Sequence, residues 1–159
     1  MKRTLIAGVG NVFFGDDGFG CEVARRLGGL GGEGVTVVDF GVRGLHLAYE
    51  LSSGWDAAII VDAVARGGRA GTLYVLEPDG EGEAGDVVAD AHGVDLASVF
   101  AMTRTLGTPP PRVVVVGCEA AELEERIGLS DAVAQAVEPA VALVQSLLKE
   151  DGHETRAQR

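Results

Sequence analysis

Apolar runs bounded by glycine, proline or charge punctuate the chain. Residues 3–9 (RTLIAGV), 35–40 (VTVVDF), 56–64 (DAAIIVDAV), 72–78 (TLYVLEP) and 112–118 (RVVVVGC) read as five short strands. The segments between most of them change to helical spacing. Residues 18–27 place Val23, Ala24 and Leu27 on one side, and residues 45–51 form a short amphipathic helix. Residues 94–106 align Leu96, Val99, Phe100, Thr103 and Leu106. A last helix opens at Ser130, a good N-cap, and Pro139 is expected to kink or split it. The glycine-rich residues 28–34 stop the first helix, and the TPPP run at 108–111 stops the third.

Connection lengths set the topology. Only residues 65–71 separate strands 3 and 4, whereas a parallel crossover needs about a dozen or more. Strand 4 is therefore expected to run antiparallel, as a hairpin on strand 3. Strand 5 is a continuous β-branched run, the pattern of a parallel strand buried on both faces. The fold class is α/β: a single doubly wound, mostly parallel five-stranded sheet with one antiparallel strand, helices on both faces and strand 1 central. Residues 1–149 make one domain, and 150–159 a polar, frayed tail.

Composition narrows the function. Apolar residues are 47% of the 159 and aromatics only 5%, so the core is built from Val, Leu, Ala and Ile. The net charge of -11 repels phosphate backbones and anionic membranes, which excludes nucleic acid and membrane as partners. No apolar stretch reaches the ~18 residues of a membrane span, and the N-terminal run is too short for a signal peptide. Two cysteines make no disulfide framework. A cytoplasmic location is expected.

The residues with chemistry gather after strand ends. The first strand leads into GVGNVFFGDDGFG, a glycine-bearing loop with Asp16 and Asp17 side by side. Asp39 lies in strand 2 and Asp62 in strand 3. In an open α/β sheet ligands bind outside the carboxyl ends of the strands. If strands 1 and 3 flank the switch point, Asp17 and Asp62 face one crevice. His92, in the acidic loop of residues 79–93, is the histidine placed to join them; His46 sits in a helix and His153 in the tail. Two carboxylates and an imidazole suit a borderline divalent cation such as nickel or zinc, with coordination positions left open. Structural readings stand beside these. Asp16 or Asp17 could cap the first helix, and Asp39 and Asp62 could bond turn amides. Cys21 reads as helix core, Cys118 lacks a neighbouring base, and Glu119 stands near the crevice as a supporting group. A dinucleotide fingerprint fails, because its third glycine falls at Phe13.

The motifs GVGNVFFGDDGFG, DFGVRG, IIVDAV, AHGVDL and VVVVGCEAAELEERIGLSDAV, in this order, resemble the maturation endopeptidases of [NiFe] hydrogenases. The likeness runs from about Arg3 to Leu148. It implies an aspartic-type endopeptidase that clips the C-terminal extension from a hydrogenase large-subunit precursor once nickel is inserted. It also implies that Asp17, Asp62 and His92 contact the metal, Asp17 standing where the family often has Glu. Nickel would arrive with the substrate and bind the free protein weakly. Asp39 could assist as a base. Val42 replaces a usual Thr and Ala120 a common Pro, differences that bear on which hydrogenase is served. A non-catalytic metal-binding or assembly module on the same fold is the other reading.

Overall fold

The computed structural model describes residues 2–78 and 94–152. Along the chain run β1 (Thr4–Val9), a 3-10 turn (Gly15–Gly18), α1 (Phe19–Leu27), β2 (Val35–Gly41), α2 (Gly44–Leu51) and β3 (Ala57–Val64). Then come β4 (Leu73–Leu76), α3 (Leu96–Leu106), β5 (Arg112–Glu119) and α4 (Asp131–Glu150). The strands form one five-stranded sheet in the order β2-β1-β3-β5-β4. Every pairing is parallel except that of β4 with β5.

β4 is antiparallel, as the short link predicts, but it does not form a hairpin on β3. Both edges of β3 are occupied, by β1 on one side and β5 on the other, so β4 pairs only with β5. The link has to cross two strand spacings, about 10 Å, which residues 65–72 cover easily at ~3.3 Å each. β3 therefore takes the centre, and β1 is interior beside it.

The pleat sorts the core into two layers. Ile59, Val61 and Ala63 of β3 pack with Phe19, Val23 and Leu27 of α1 and with the inner row of α4. Ala58 and Ile60 pack on the opposite face with Leu47 and Leu51 of α2 and Leu96 and Val99 of α3. Pro139 does not split α4, which runs unbroken for 20 residues. Its ring lies on the exposed side, where the lost backbone hydrogen bond is open to water. Neighbouring Glu138 pairs with Arg26 and links α4 to α1.

α1 lies on the sheet backbone to backbone. A Cβ on Gly20 would stand 2.1 Å from the Val61 carbonyl oxygen and 2.5 Å from that of Val9. One on Gly8 would stand 2.3 Å from the Gly20 carbonyl oxygen. Neither backbone can yield as a side chain would. Gly20→Ala should therefore cost about 3 kcal/mol or more through overpacking. Gly28→Ala, in open space with helical dihedrals, should instead stabilise by roughly 0.4–1 kcal/mol. Urea denaturation of the two variants against wild type checks the contrast; equal effects would refute the interlock.

Candidate active site

The loop leaving β1 is shaped around Asp17. Gly10 takes φ 133°, and a Cβ there would fall 1.9 Å from the Asp17 carbonyl oxygen. The turn brings the Asn11 amide onto the Asp17 side chain, donating to Oδ2 at 2.7 Å. The Asp17 amide in turn donates to the Phe14 carbonyl at 3.1 Å. The Asp17 side chain is thereby held in its own loop, and the residue is 0% exposed. Asp62 continues the Ala58–Ile60 row at the carboxyl end of β3 and is 2% exposed. β1 and β3 are adjacent parallel strands, and the chain's winding reverses between them. Two buried carboxylates thus stand at the switch point of the sheet.

Cys21 lies beside them and is more than helix core. It belongs to neither apolar layer; its thiol donates to the Gly10 carbonyl at 3.5 Å. Burial, a hydrogen bond with Asp39, and the charges of Asp39, Asp17 and Asp62 all push the Cys21 pKa up. One thiol therefore senses all three acids. Its sequence signal was present, since Cys21 is four residues past Asp17 and in the first turn of α1. Cys118 is pushed up to about 12 by burial and by Asp16 and Glu119, so it stays a thiol at neutral pH.

Asp39 occupies a different setting. It belongs to the row of β2 that carries Val35 and Val37 towards α1, and it is exposed. Its Oδ1 accepts the Gly41 amide at 2.9 Å, the local turn bond expected of an aspartate there. It also lines a cleft of about 250 Å³ with Val12, Gly18, Cys21, Ile127 and Leu129. His92, with its acidic loop, and His153 lie outside the described residues. His46 is exposed on α2 with its ring edge against Phe40 at 5.4 Å. Among the described residues no three His, Cys, Asp or Glu side chains are grouped to hold a metal ion.

Asp16 does not cap α1, whose N-cap is Gly18 without a side-chain bond. Its carboxylate reaches across to the chain after β5. It accepts from the amides of Ala121 and Glu122 at 2.8 Å each, and from the Ser130 amide at 2.7 Å and hydroxyl at 2.9 Å. Ser130 does hold the N-cap position of α4, but its hydroxyl serves Asp16 rather than the helix. Backbone bonds add to the seam: Gly15 N–H to Arg126, Asp16 N–H to Glu122 and Arg126 N–H to Phe13. Because β1 and β5 flank β3, this seam spans the end of β3 that carries Asp62.

Glu119 does not support the crevice acids directly. Its carboxylate accepts from the amides of Arg66 and Gly68 and from the Tyr74 hydroxyl at 2.9 Å, and so shapes the link between β3 and β4. Burial alone would raise its pKa, but the Tyr74 hydroxyl and the link's amides outweigh it and hold the carboxyl below the ordinary value.

This fold and site have known relatives. Residues 21–147 match the family model of hydrogenase maturation proteases. A putative hydrogenase maturation protease of Methanocaldococcus jannaschii is 34% identical over 153 residues, covering 93% of this chain and 97% of its own. The hydrogenase 2 maturation protease of Escherichia coli is 30% identical, covering 96% and 94%. In structure, the hydrogenase maturating endopeptidase HybD from E. coli superposes with a TM-score of 0.84 at 28% identity, over 96% of each chain. The chain belongs to the hydrogenase maturation protease family. It is accordingly an endopeptidase, a hydrolase of peptide bonds. No helix among the described residues is long and apolar enough to cross a membrane.

Two substitutions test the scaffold around the site. Asp16→Ala removes four part-buried hydrogen bonds to three amides and a hydroxyl, and should cost about 2 kcal/mol or more in urea denaturation. Glu119 gives a pH-dependent term. Its folded-state pKa is depressed, so its stabilisation is full above the unfolded value of about 4.5 and is lost as pH falls through the folded value. Glu119→Gln should lower stability by about 1–3 kcal/mol at pH 7, with the gap to wild type closing below pH ~4. A gap that stays constant from pH 7 to pH 3 would contradict the depressed pKa.

Proposed function

We propose that this endopeptidase removes the C-terminal extension of a nickel-loaded [NiFe]-hydrogenase large-subunit precursor, and that it recognises the nickel through Asp17, Asp62 and His92. The pair of buried carboxylates at the switch point is the observation that carries this reading. Val94, two residues after His92, is buried in the same layer as Ala58 and Ile60, whose row ends in Asp62. Two carboxylates and an imidazole suit a borderline divalent cation, and three ligands leave positions for donors from the substrate protein. Nickel is cargo of the precursor in this scheme, and the free protease binds it weakly. The bound metal orients the scissile bond. The exposed Asp39 carboxylate takes the proton from the water that attacks the amide carbon, and gives it to the amide nitrogen as the C–N bond breaks, leaving a carboxyl and an amine.

Mass spectrometry of the precursor after incubation with the protease tests this. Cleavage is expected for the nickel-loaded form and none for the nickel-free form. Asp17→Asn, Asp62→Asn and His92→Ala should each abolish processing, since an amide or a methyl is a much poorer ligand. Asn at position 17 still offers an oxygen to the Asn11 amide, so that variant should keep its melting temperature within a few degrees. Asp39→Asn should retain precursor binding and lose cleavage. Equal cleavage with and without nickel, or full processing by His92→Ala, would defeat the proposal. Binding of the precursor without cleavage by wild type would favour a non-catalytic assembly role.

A further inference from the structure

The carboxyl edge of the sheet continues into an apolar surface that the hydrolytic site does not use. Val42, Leu45, Tyr49 and Leu106 are exposed, Leu45 by 66% and Tyr49 by 62%. Together with Arg43, Gly44 and His46 they line a groove of about 650 Å³ along α2 and the end of α3. Contiguous exposed apolar surface costs solubility and marks interaction sites more often than chance. Its charge is also against the trend of the molecule. The chain carries a net charge of -11, yet among the described residues the groove is lined by the basic side chains Arg43 and His46 and by no Asp or Glu. Arg43 is fixed there: its guanidinium donates to the Phe40 and Asp39 carbonyls and approaches His46 Nδ1 at 3.5 Å. The groove is continuous with the site through a short stretch of chain. Asp39 lies two residues before the end of β2 at Gly41, and Val42 and Arg43 then lead into α2.

We infer that this α2–α3 groove docks the body of the substrate protein, through a surface segment with an apolar face flanked by carboxylates. The inference rests on the function proposed above and adds where the precursor is held away from the scissile bond. Apolar side chains of the partner cover Leu45 and Tyr49, and its carboxylates meet Arg43 and His46. Since the rest of the protease is acidic, a carboxylate-bearing partner is repelled elsewhere and directed to this face. The groove therefore contributes binding energy that the metal ligands do not, and its loss should appear in KM rather than in kcat.

The test measures binding of the full-length nickel-loaded precursor to wild type, Leu45→Asp, Tyr49→Asp and a control, Val75→Asp, on the exposed edge strand β4. Leu45→Asp and Tyr49→Asp should each raise Kd at least tenfold, and raise KM similarly with kcat at saturation unchanged. Val75→Asp should bind as wild type. Raising the salt concentration should weaken wild-type binding. Unchanged Kd for both groove variants, with cleavage intact, overturns the docking surface and leaves the proposed activity standing. Weakened binding in the groove variants with no cleavage by wild type leaves the docking surface and overturns the activity. Absence of wild-type binding overturns both. A dimer of wild type in sedimentation that Leu45→Asp dissociates assigns the groove to a second copy and overturns the docking role.

Discussion

The structure depends on how closely α1 approaches the sheet. Gly8 and Gly20 face each other with no room for a Cβ, so the helix backbone lies against the carbonyls of Val9 and Val61. That approach fixes the first turn of α1 over the join of β1 and β3. Asp17 and Cys21, on either side of Gly20, are set at this join. A side chain at either glycine would lift the helix and move both groups away from Asp62. Placement of the acids is thus a consequence of backbone packing in a dense core, where small displacements are costly.

A second layer of constraint holds the loops. The loop after β1 and the loop after β5 come from strands that flank β3, and Asp16 binds the second to the first through four hydrogen bonds. Adjacent aspartates in sequence therefore divide the work. Asp16 reaches to the chain after β5 and spends its oxygens on two amides there and on Ser130 at the N-cap of α4. Asp17 turns into its own loop and stands with Asp62. Hydrogen bonds to an ionised carboxylate are the strong ones, so Asp16 keeps the seam shut while the neighbouring acids stay buried at the end of β3. Glu119 repeats the device at the next link, with the amides of Arg66 and Gly68 and the Tyr74 hydroxyl. Among the described residues Asp16 and Glu119 thus act as structural fasteners, while Asp17 and Asp62 stand at the end of the sheet.

Cys21 shows what such a setting does to an ordinary group. A thiol in an apolar layer would be inert by burial alone. Here the carboxylates of Asp39, Asp17 and Asp62 add to burial, so the negative potential of the crevice reaches the first turn of α1. The same potential favours a cation brought in by a substrate. The apolar groove beside it, with Arg43 and His46, offers the opposite polarity a short distance along α2.

Much of this was legible in the sequence. Hydrophobic period and glycine or proline punctuation gave the five strands and four helices within a few residues, because each element buries a face whose spacing is written locally. The short link of residues 65–71 implied an antiparallel β4 for a purely geometric reason. Asp17 and Asp62 stood out because acids after apolar strands fall at the edge where α/β sheets bind ligands. Other features had no local signature. Whether β4 lies on β3 or on β5 depends on which strand claims the edges of β3, a competition among residues over fifty positions apart. The task of Asp16 depends on partners more than a hundred residues away, whereas Asp17 is held within its own loop. The pleat sends Asp39 towards α1 and Asp62 to the other face, which follows only once register is fixed. Local chemistry determined which residues could act; long-range packing decided which of them meet.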